Sequence, residues 1–123
     1  MKVLVLGASA NPLRVSNRVT KLLLAEGHNV VAVGRSKAKI DSIEIQEAIP
    51  DDHDFDVITL YINPGIQPDY YDTIVNMRPS KVIFNPGTEN DEFIRILVKS
   101  GIQWEAACNL VLLRTGQFEE VLQ

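Results

Sequence analysis

Cysteine is nearly absent from this sequence, and its scarcity excludes two ways of building a small protein. Cys108 is the only cysteine of the 123 residues, so the chain cannot form an internal disulfide. The two histidines, His28 and His53, stand apart from the cysteine and from each other, and no spacing typical of metal ligands occurs. We therefore expect neither a disulfide-stabilised scaffold nor a metal site.

Long hydrophobic runs and low-complexity segments are also missing. The apolar stretch that opens the chain, residues 3–6, ends at Gly7 and is far too short to cross a membrane. It does not have the pattern of a signal peptide, so the cytoplasm is the compartment that we expect. With 46% hydrophobic and 23% charged residues, residues 1–123 are expected to form a single globular domain.

Positive charge is scarce overall but concentrated near the start of the chain. The net charge is −4, which argues against a nucleic-acid partner, because such binding depends on many lysine and arginine contacts to phosphates. Residues 1–40 nevertheless contain seven basic residues and one acidic residue, whereas residues 41–123 contain five basic and fifteen acidic ones. A local positive field of this kind favours a small anionic ligand.

Short apolar segments alternate with amphipathic ones, which predicts strands separated by helices. Strands are predicted over residues 3–6, 29–33, 56–62, 81–84 and 102–108. Helices are predicted to begin near Ser16, near Pro68 and after Thr88, which is expected to cap the third helix. Residues 36–55 are expected to form a loop with one short element, and the tail 116–123 a short helix. This order predicts an α/β, three-layer Rossmann-type domain with an open, mostly parallel five-stranded sheet.

Ligands of such sheets bind beyond the carboxyl ends of the strands, so the loop after the first strand is the first candidate site. A dinucleotide fingerprint would place glycines where this loop has Ser9 and Pro12. The loop instead offers side chains that bind phosphate: the hydroxyls of Ser9 and Ser16, the Asn11 amide and the Arg14 guanidinium. The alternative interpretation makes Ser16 a helix cap and Asn11-Pro12 a turn, and both roles can coexist with ligand binding.

A second basic element follows the second strand. The turn Gly34-Arg35-Ser36-Lys37 places an arginine and a lysine beside the first loop, where the adenosine ribose of a nucleotide lies in this fold. Two cations at that point favour a phosphorylated ribose over an unmodified one. A ribose 3′-phosphate of CoA and a 2′-phosphate of NADP both satisfy this expectation.

The pattern as a whole resembles the stand-alone CoA-binding domain proteins, which are similar to the CoA-binding domain of the succinyl-CoA synthetase α subunit. The likeness spans about residues 3–113 and depends on Gly7-Ala8-Ser9, Asn11-Pro12, Arg14, Ser16, Lys37, Gly87 and Cys108. It implies that the first loop holds the CoA pyrophosphate and that the Lys37 turn meets the 3′-phosphate. It also implies that the third and fourth strand ends line the adenine and pantetheine path. The candidate cofactor-binding residues are Gly7, Ser9, Asn11, Arg14, Ser16, Arg35, Lys37, Tyr61, Asn63, Pro64, Gly87 and Cys108.

The preferred hypothesis is a non-catalytic module that binds coenzyme A or an acyl-CoA; the main alternative is a small NADP-binding reductase-like protein. The alternative is weakened by the missing glycines and by the lack of a Tyr-x-x-x-Lys pair, since Ile74 and Val75 stand four residues after Tyr70 and Tyr71. A third class, an interaction protein without a ligand, has only Trp104 and the apolar tail in its favour. The sequence does not fix the oligomeric state.

No nucleophile and base stand at a spacing that predicts catalysis, so no catalytic residue is assigned. Both histidines are expected on the solvated surface. Cys108 is expected to be a small buried apolar side chain in the last strand. The functional alternative is a thiol near the pantetheine end that forms a mixed disulfide with CoA.

Overall fold

Seven strands form one sheet in the computed structural model, which describes residues 1–123. The strands are β1 (Lys2–Leu6), β2 (Asn29–Val33), β3 (Lys39–Ile40), β4 (Ile43–Gln46), β5 (Val57–Leu60), β6 (Lys81–Phe84) and β7 (Gln103–Ala106). The α-helices are α1 (Val15–Ala25), α2 (Tyr71–Met77), α3 (Asp91–Lys99) and α4 (Asn109–Arg114). Two 3₁₀ turns, Gln67–Tyr70 and Phe118–Glu120, complete the fold. None of the helices has the length and apolar character needed to span a bilayer.

The strand order across the sheet is β3-β4-β2-β1-β5-β6-β7. All neighbouring pairs are parallel except β3 and β4, which pair antiparallel at one edge. After β1 the chain forms β2, β3 and β4 on one side of that strand. It then crosses to the other side of β1, where it forms β5, β6 and β7. This reversal opens a crevice at the carboxyl ends of β1 and β5, which is where ligands bind in sheets of this kind.

The two faces of the sheet are covered by different helices because alternate strand residues point to opposite sides. Val3 and Val5 of β1 pack in one apolar cluster with α1 and α4. Leu4 and Leu6 pack in a second cluster with α2 and α3. The predicted α/β three-layer Rossmann-type architecture with a mostly parallel sheet is therefore confirmed.

The predicted strand count is wrong, because the sheet has seven strands and not five. The two additional strands lie in residues 36–55, which were expected to be a loop with one short element. Asp41, with φ of 50°, turns the chain between β3 and β4, and Ile40 and Ile45 are buried against the α1 face. Two strands this short contain too few apolar residues to produce an alternation that a sequence can reveal.

The last predicted strand is too long at its carboxyl end. It ends at Ala106, and Cys108 is the residue that precedes α4, a helix the sequence did not predict. The placement of Cys108 within the strand is therefore wrong, and the residue is half-buried rather than fully buried. The apolar run across this junction suits either a strand or a buried helix, so it does not show where one ends and the other begins.

Three smaller expectations also fail. Ser16 does not cap α1, because Arg14 occupies the cap position without a side-chain hydrogen bond. Asn90, rather than Thr88, caps α3 by accepting a hydrogen bond from the Phe93 amide. His28 is only 7% exposed, since the tail folds over it and brings Phe118 edge-on to its ring. His53 is exposed, as expected.

Candidate functional site

A cleft of about 1000 Å³ runs along the carboxyl ends of the parallel strands. It extends from Glu47, which follows β4, across the loops after β2, β1, β5 and β6, to Cys108 before α4. The cleft therefore lies at the point where the strand order reverses. Its volume is in the range of small-molecule binding sites.

Two glycines allow the strand ends to approach each other closely at this edge. Gly7 has φ of 100°, and a Cβ added there would lie 2.7 Å from the carbonyl carbon of Tyr61. A Cβ at Gly34 would overlap the carbonyl oxygen of Ala8. Since Gly7 and Ala8 both donate backbone hydrogen bonds to the Val33 carbonyl at 2.9 Å, the loops after β1 and β2 form one rigid wall of the cleft.

The loop from Gly7 to Arg14 is shaped by its own side chains. The Ser9 hydroxyl accepts a hydrogen bond from the backbone amide of Asn11 at 3.1 Å. The side-chain oxygen of Asn11, Oδ1, accepts one from the backbone amide of Leu13 at 3.0 Å. Asn17 fixes the loop to α1 by donating to the Ser9 carbonyl at 2.9 Å. Asn11 therefore does form a turn, as the alternative interpretation of the sequence held.

The same loop leaves backbone donors free at the start of α1. The amides of Ser9, Ala10, Val15 and Ser16 donate to no group of the protein. Free N–H groups and the dipole of an eleven-residue helix attract an anion to this point. The residue Ser16 is 4% exposed and lines the cleft.

The charges that line the cleft are two arginines and one glutamate. Arg14 and Arg35 are exposed and form no salt bridge. Glu47 is the only acidic lining residue, and it lies at the β4 end. The part of the cleft above α1 is thus positive within a protein of net charge −4.

Eight of the twelve candidate residues line the cleft. They are Gly7, Ser9, Arg14, Ser16, Arg35, Tyr61, Asn63 and Cys108. The other four, Asn11, Lys37, Pro64 and Gly87, are exposed and do not line it. Lys37 instead borders a separate depression of about 490 Å³ on the β3–β4 hairpin.

Several lining residues were not identified from the sequence, among them Leu13, Glu47, Ile66, Tyr70 and Asn85. Tyr70 lies in the 3₁₀ turn after β5, and Ile66 directly precedes that turn. Glu47 can be recognised as a site residue only once β4 is recognised as a strand. Asn85 could have been found, because it directly follows the predicted fourth strand.

Asn85 fixes three elements at the floor of the cleft. Its amide nitrogen donates to Thr59 Oγ1 at 2.7 Å and to the Leu60 carbonyl at 2.9 Å. Its Oδ1 accepts a hydrogen bond from the backbone amide of Asn109 at 2.8 Å. Because Asn85 is 2% exposed, these bonds join the ends of β5 and β6 to the start of α4 without competition from water.

Tyr61 closes the cleft floor beside Cys108. Its hydroxyl is fully buried and has no hydrogen-bond partner in the protein. Burial raises the pKa of the Tyr61 hydroxyl well above its usual range, with a smaller contribution from Cys108 nearby. Tyr61 is therefore a neutral side chain at neutral pH.

Comparison with known proteins places this geometry in a family. A family model described as a CoA binding domain matches residues 1–114. A crystal structure of an uncharacterised protein is 39% identical, with a TM-score of 0.90, over 95% of this chain and 97% of that one. A conserved hypothetical protein from Pyrococcus furiosus is 29% identical, with a TM-score of 0.77, over 89% and 97%.

A more distant structure from Thermus thermophilus shares the fold. It is 23% identical, with a TM-score of 0.84, over 95% of this chain and 90% of that one. Among curated proteins, none matches the chain.

Proposed function

The chain belongs to the CoA-binding domain family, and from that membership we propose that it binds coenzyme A or an acyl-CoA in the cleft, as a non-catalytic module. The observation that carries the proposal is the group of free amides at the start of α1 beside the unpaired Arg14. These donors suit a pyrophosphate, which carries charge and several acceptor oxygens. The pyrophosphate is therefore assigned to the loop between Gly7 and Ser16.

The adenosine end of CoA is assigned to the wall formed by the loop after β2. Arg35 lines the cleft there and has no acidic partner, so its guanidinium is free to bind the ribose 3′-phosphate. Lys37 borders the neighbouring depression on the hairpin. We assign to it a long-range electrostatic contribution to the same phosphate, since an exposed lysine side chain is flexible.

The pantetheine arm is assigned to the ends of β5 and β6. Tyr61, Asn63, Ile66 and Tyr70 supply a mixed polar and apolar lining there. This composition suits an arm that contains two amide groups among methylene groups. In the proposal, Pro64 and Gly87 shape the two loops and do not contact the arm directly.

NADP is the second candidate, and the position of Arg35 favours it as much as it favours CoA. A 2′-phosphate could be met by the same guanidinium. Against NADP, Ser9 and Pro12 replace the glycines that let a dinucleotide pyrophosphate approach the backbone. The direct comparison of the two ligands therefore decides between them.

Arg14→Ala tests the placement of the pyrophosphate. Loss of a charge-assisted hydrogen bond should weaken CoA binding by about 1.5–3 kcal/mol, measured by isothermal titration calorimetry. The melting temperature without ligand should change little, because Arg14 is exposed and unpaired.

Arg18→Ala is the matched control, since Arg18 is an exposed arginine in α1, four residues after Arg14, and does not line the cleft. It removes the same charge and should leave CoA affinity within about twofold, the scale of a screened surface charge. Equal losses in the two variants would mean that Arg14 acts only through net charge. An unchanged affinity in Arg14→Ala would contradict the placement.

A further inference from the structure

The β7 edge of the sheet is open, and we propose that it pairs antiparallel with the β7 edge of a second copy of this chain, with Trp104 opposite Trp104. β7 is the last strand of the sheet and has β6 on one side only. Gln103, Trp104 and Ala106 are exposed, so no other part of the chain covers the outer side of the strand. None of the residues of β7 lines the cleft, so the inference is independent of the proposed function.

Backbone groups of two β7 residues point away from the sheet. The Ala107 amide donates to the Phe84 carbonyl at 3.1 Å, which directs the backbone groups of residues 103 and 105 toward β6 as well. Because successive residues of a strand alternate in this respect, the N–H and C=O groups of Trp104 and Ala106 point outward. Neither of these two amides donates to a loop carbonyl. Unpaired edge groups of this kind are a template for another strand.

The opposite edge of the sheet is protected against such pairing, and the β7 edge is not. β3, at the other edge, has only two residues, one of which is the exposed Lys39. β7 has four residues and contains neither proline nor lysine. Trp104 of β7 is 39% exposed, and Val98 of α3, which packs against β7, is 62% exposed. Free backbone groups and exposed apolar side chains therefore coincide at this edge.

A single register pairs the outward backbone groups of both copies. A twofold axis beside Trp104 places the two Trp104 residues opposite each other, and each amide then donates to the other carbonyl. The same register brings the Ala106 amide of each copy to the Ile102 carbonyl of the other. The Ile102 amide needs no partner there, because it already donates to the Leu97 carbonyl at 2.9 Å.

The side chains favour this register over the neighbouring one. It places Gln103 directly opposite Glu105 of the second copy, twice by symmetry, where the amide can donate to the carboxylate. An axis beside Glu105 would also pair the backbone groups, but it would place the two Glu105 carboxylates opposite each other, which is destabilising. The Trp104 ring lies edge-on to Phe84, with the ring centroids 6.3 Å apart. In the proposed register the two Trp104 rings lie side by side and cover each other.

The charges of α3 are complementary in the same arrangement. Its first turn carries the exposed acids Asp91 and Glu92, and its last turn carries the exposed Lys99. A twofold axis perpendicular to the joined sheet places both copies of α3 on the same face and in opposite directions. The acidic start of each helix therefore lies toward the basic end of the other, which favours association.

Sedimentation equilibrium of the purified protein tests the inference. Over concentrations from about 1 µM to 1 mM, which cover weak interfaces, the mass should rise from the 13.7 kDa of one chain toward twice that value. Ala106→Pro removes an outward amide, and proline is tolerated on an edge strand where the N–H faces solvent. This variant should remain a monomer over the whole range, and its circular dichroism spectrum should match that of the wild type.

Two substitutions at Gln103 test the register without changing the backbone. Gln103→Lys places a cation opposite Glu105 of the second copy and should lower the dissociation constant of the dimer roughly fivefold. Gln103→Glu places like charges there and should raise it by a similar factor. Val111→Lys is the control for net charge, because Val111 is exposed on α4, and it should leave the dissociation constant unchanged.

Three results would contradict the inference. A monomer at every concentration would overturn it, and the edge would then be open to an extended segment of another protein. A dimer that persists in folded Ala106→Pro would show that the copies meet elsewhere. Equal effects of Gln103→Lys and Gln103→Glu would overturn the proposed register.

Discussion

The substitution Gly7→Ala tests whether the cleft depends on close contact between the loops after β1 and β5. A Cβ at Gly7 would lie 2.7 Å from the Tyr61 carbonyl carbon, and restoring ordinary contact at 3.4 Å requires a backbone shift of about 0.7 Å. Overpacking of this kind costs about 1–3 kcal/mol. The positive φ of 100° at this position destabilises the folded state by about 1–2 kcal/mol more once the residue has a side chain.

Gly27→Ala separates these two effects. Gly27 also has a positive φ, 84°, but a Cβ there would meet nothing within 4 Å. It should therefore show only the backbone strain, whereas Gly7→Ala should be less stable by a further 1–3 kcal/mol or so in urea unfolding. For a chain of this size, each kcal/mol of that difference should lower the melting temperature of Gly7→Ala relative to Gly27→Ala by about 4 °C. Equal destabilisation of the two variants would refute the proposed contact.

Three further changes test other parts of the site. The double change Arg35→Ala with Lys37→Ala should remove most of the preference for CoA over dephospho-CoA in calorimetry; equal binding of both ligands by the wild type would contradict the assignment of the 3′-phosphate. Asn85→Ala should lower the free energy of unfolding in urea by about 2–3 kcal/mol, since it leaves buried groups of three elements unpaired. Because burial raises the pKa of Tyr61, its contribution to stability should be complete below the usual tyrosine value of about 10 and be lost as pH rises beyond it. Tyr61→Phe should flatten that alkaline loss, and an identical pH dependence in the two proteins would count against the burial effect.

The central strands were predictable because each is a short apolar run that ends at a turn residue. Val3–Leu6 ends at Gly7 and Lys81–Phe84 ends at Asn85-Pro86-Gly87, so both the strand and the loop that builds the site were visible. The parallel topology then brings the loops to one edge without any knowledge of side-chain contacts. For this reason eight of the twelve candidate residues line one cleft.

The edges of the fold could not be predicted by the same reasoning. β3 and β4 together contain six residues, and their burial is decided by packing on α1 rather than by an intrinsic preference. His28 is buried by Phe118, a residue ninety positions later in the chain. Neither contact produces a local pattern.

Within the site, sequence reasoning could identify residue types but not their mutual distances. It placed Gly34 in the turn after the second strand, but it did not reveal that the Ala8 carbonyl oxygen fills the space of the missing side chain. It placed Arg35 and Lys37 on one turn, but only the hairpin after them directs Lys37 away from the cleft. Such details depend on how separate strands are registered against each other.

The most direct test of the account is a calorimetric titration of the purified protein with CoA and, separately, with NADP in reducing buffer. We expect CoA to bind at one site per chain and NADP to bind much more weakly, because polar side chains replace the glycines of the dinucleotide fingerprint. Tighter binding of NADP than of CoA would contradict the account and favour the reductase-like alternative.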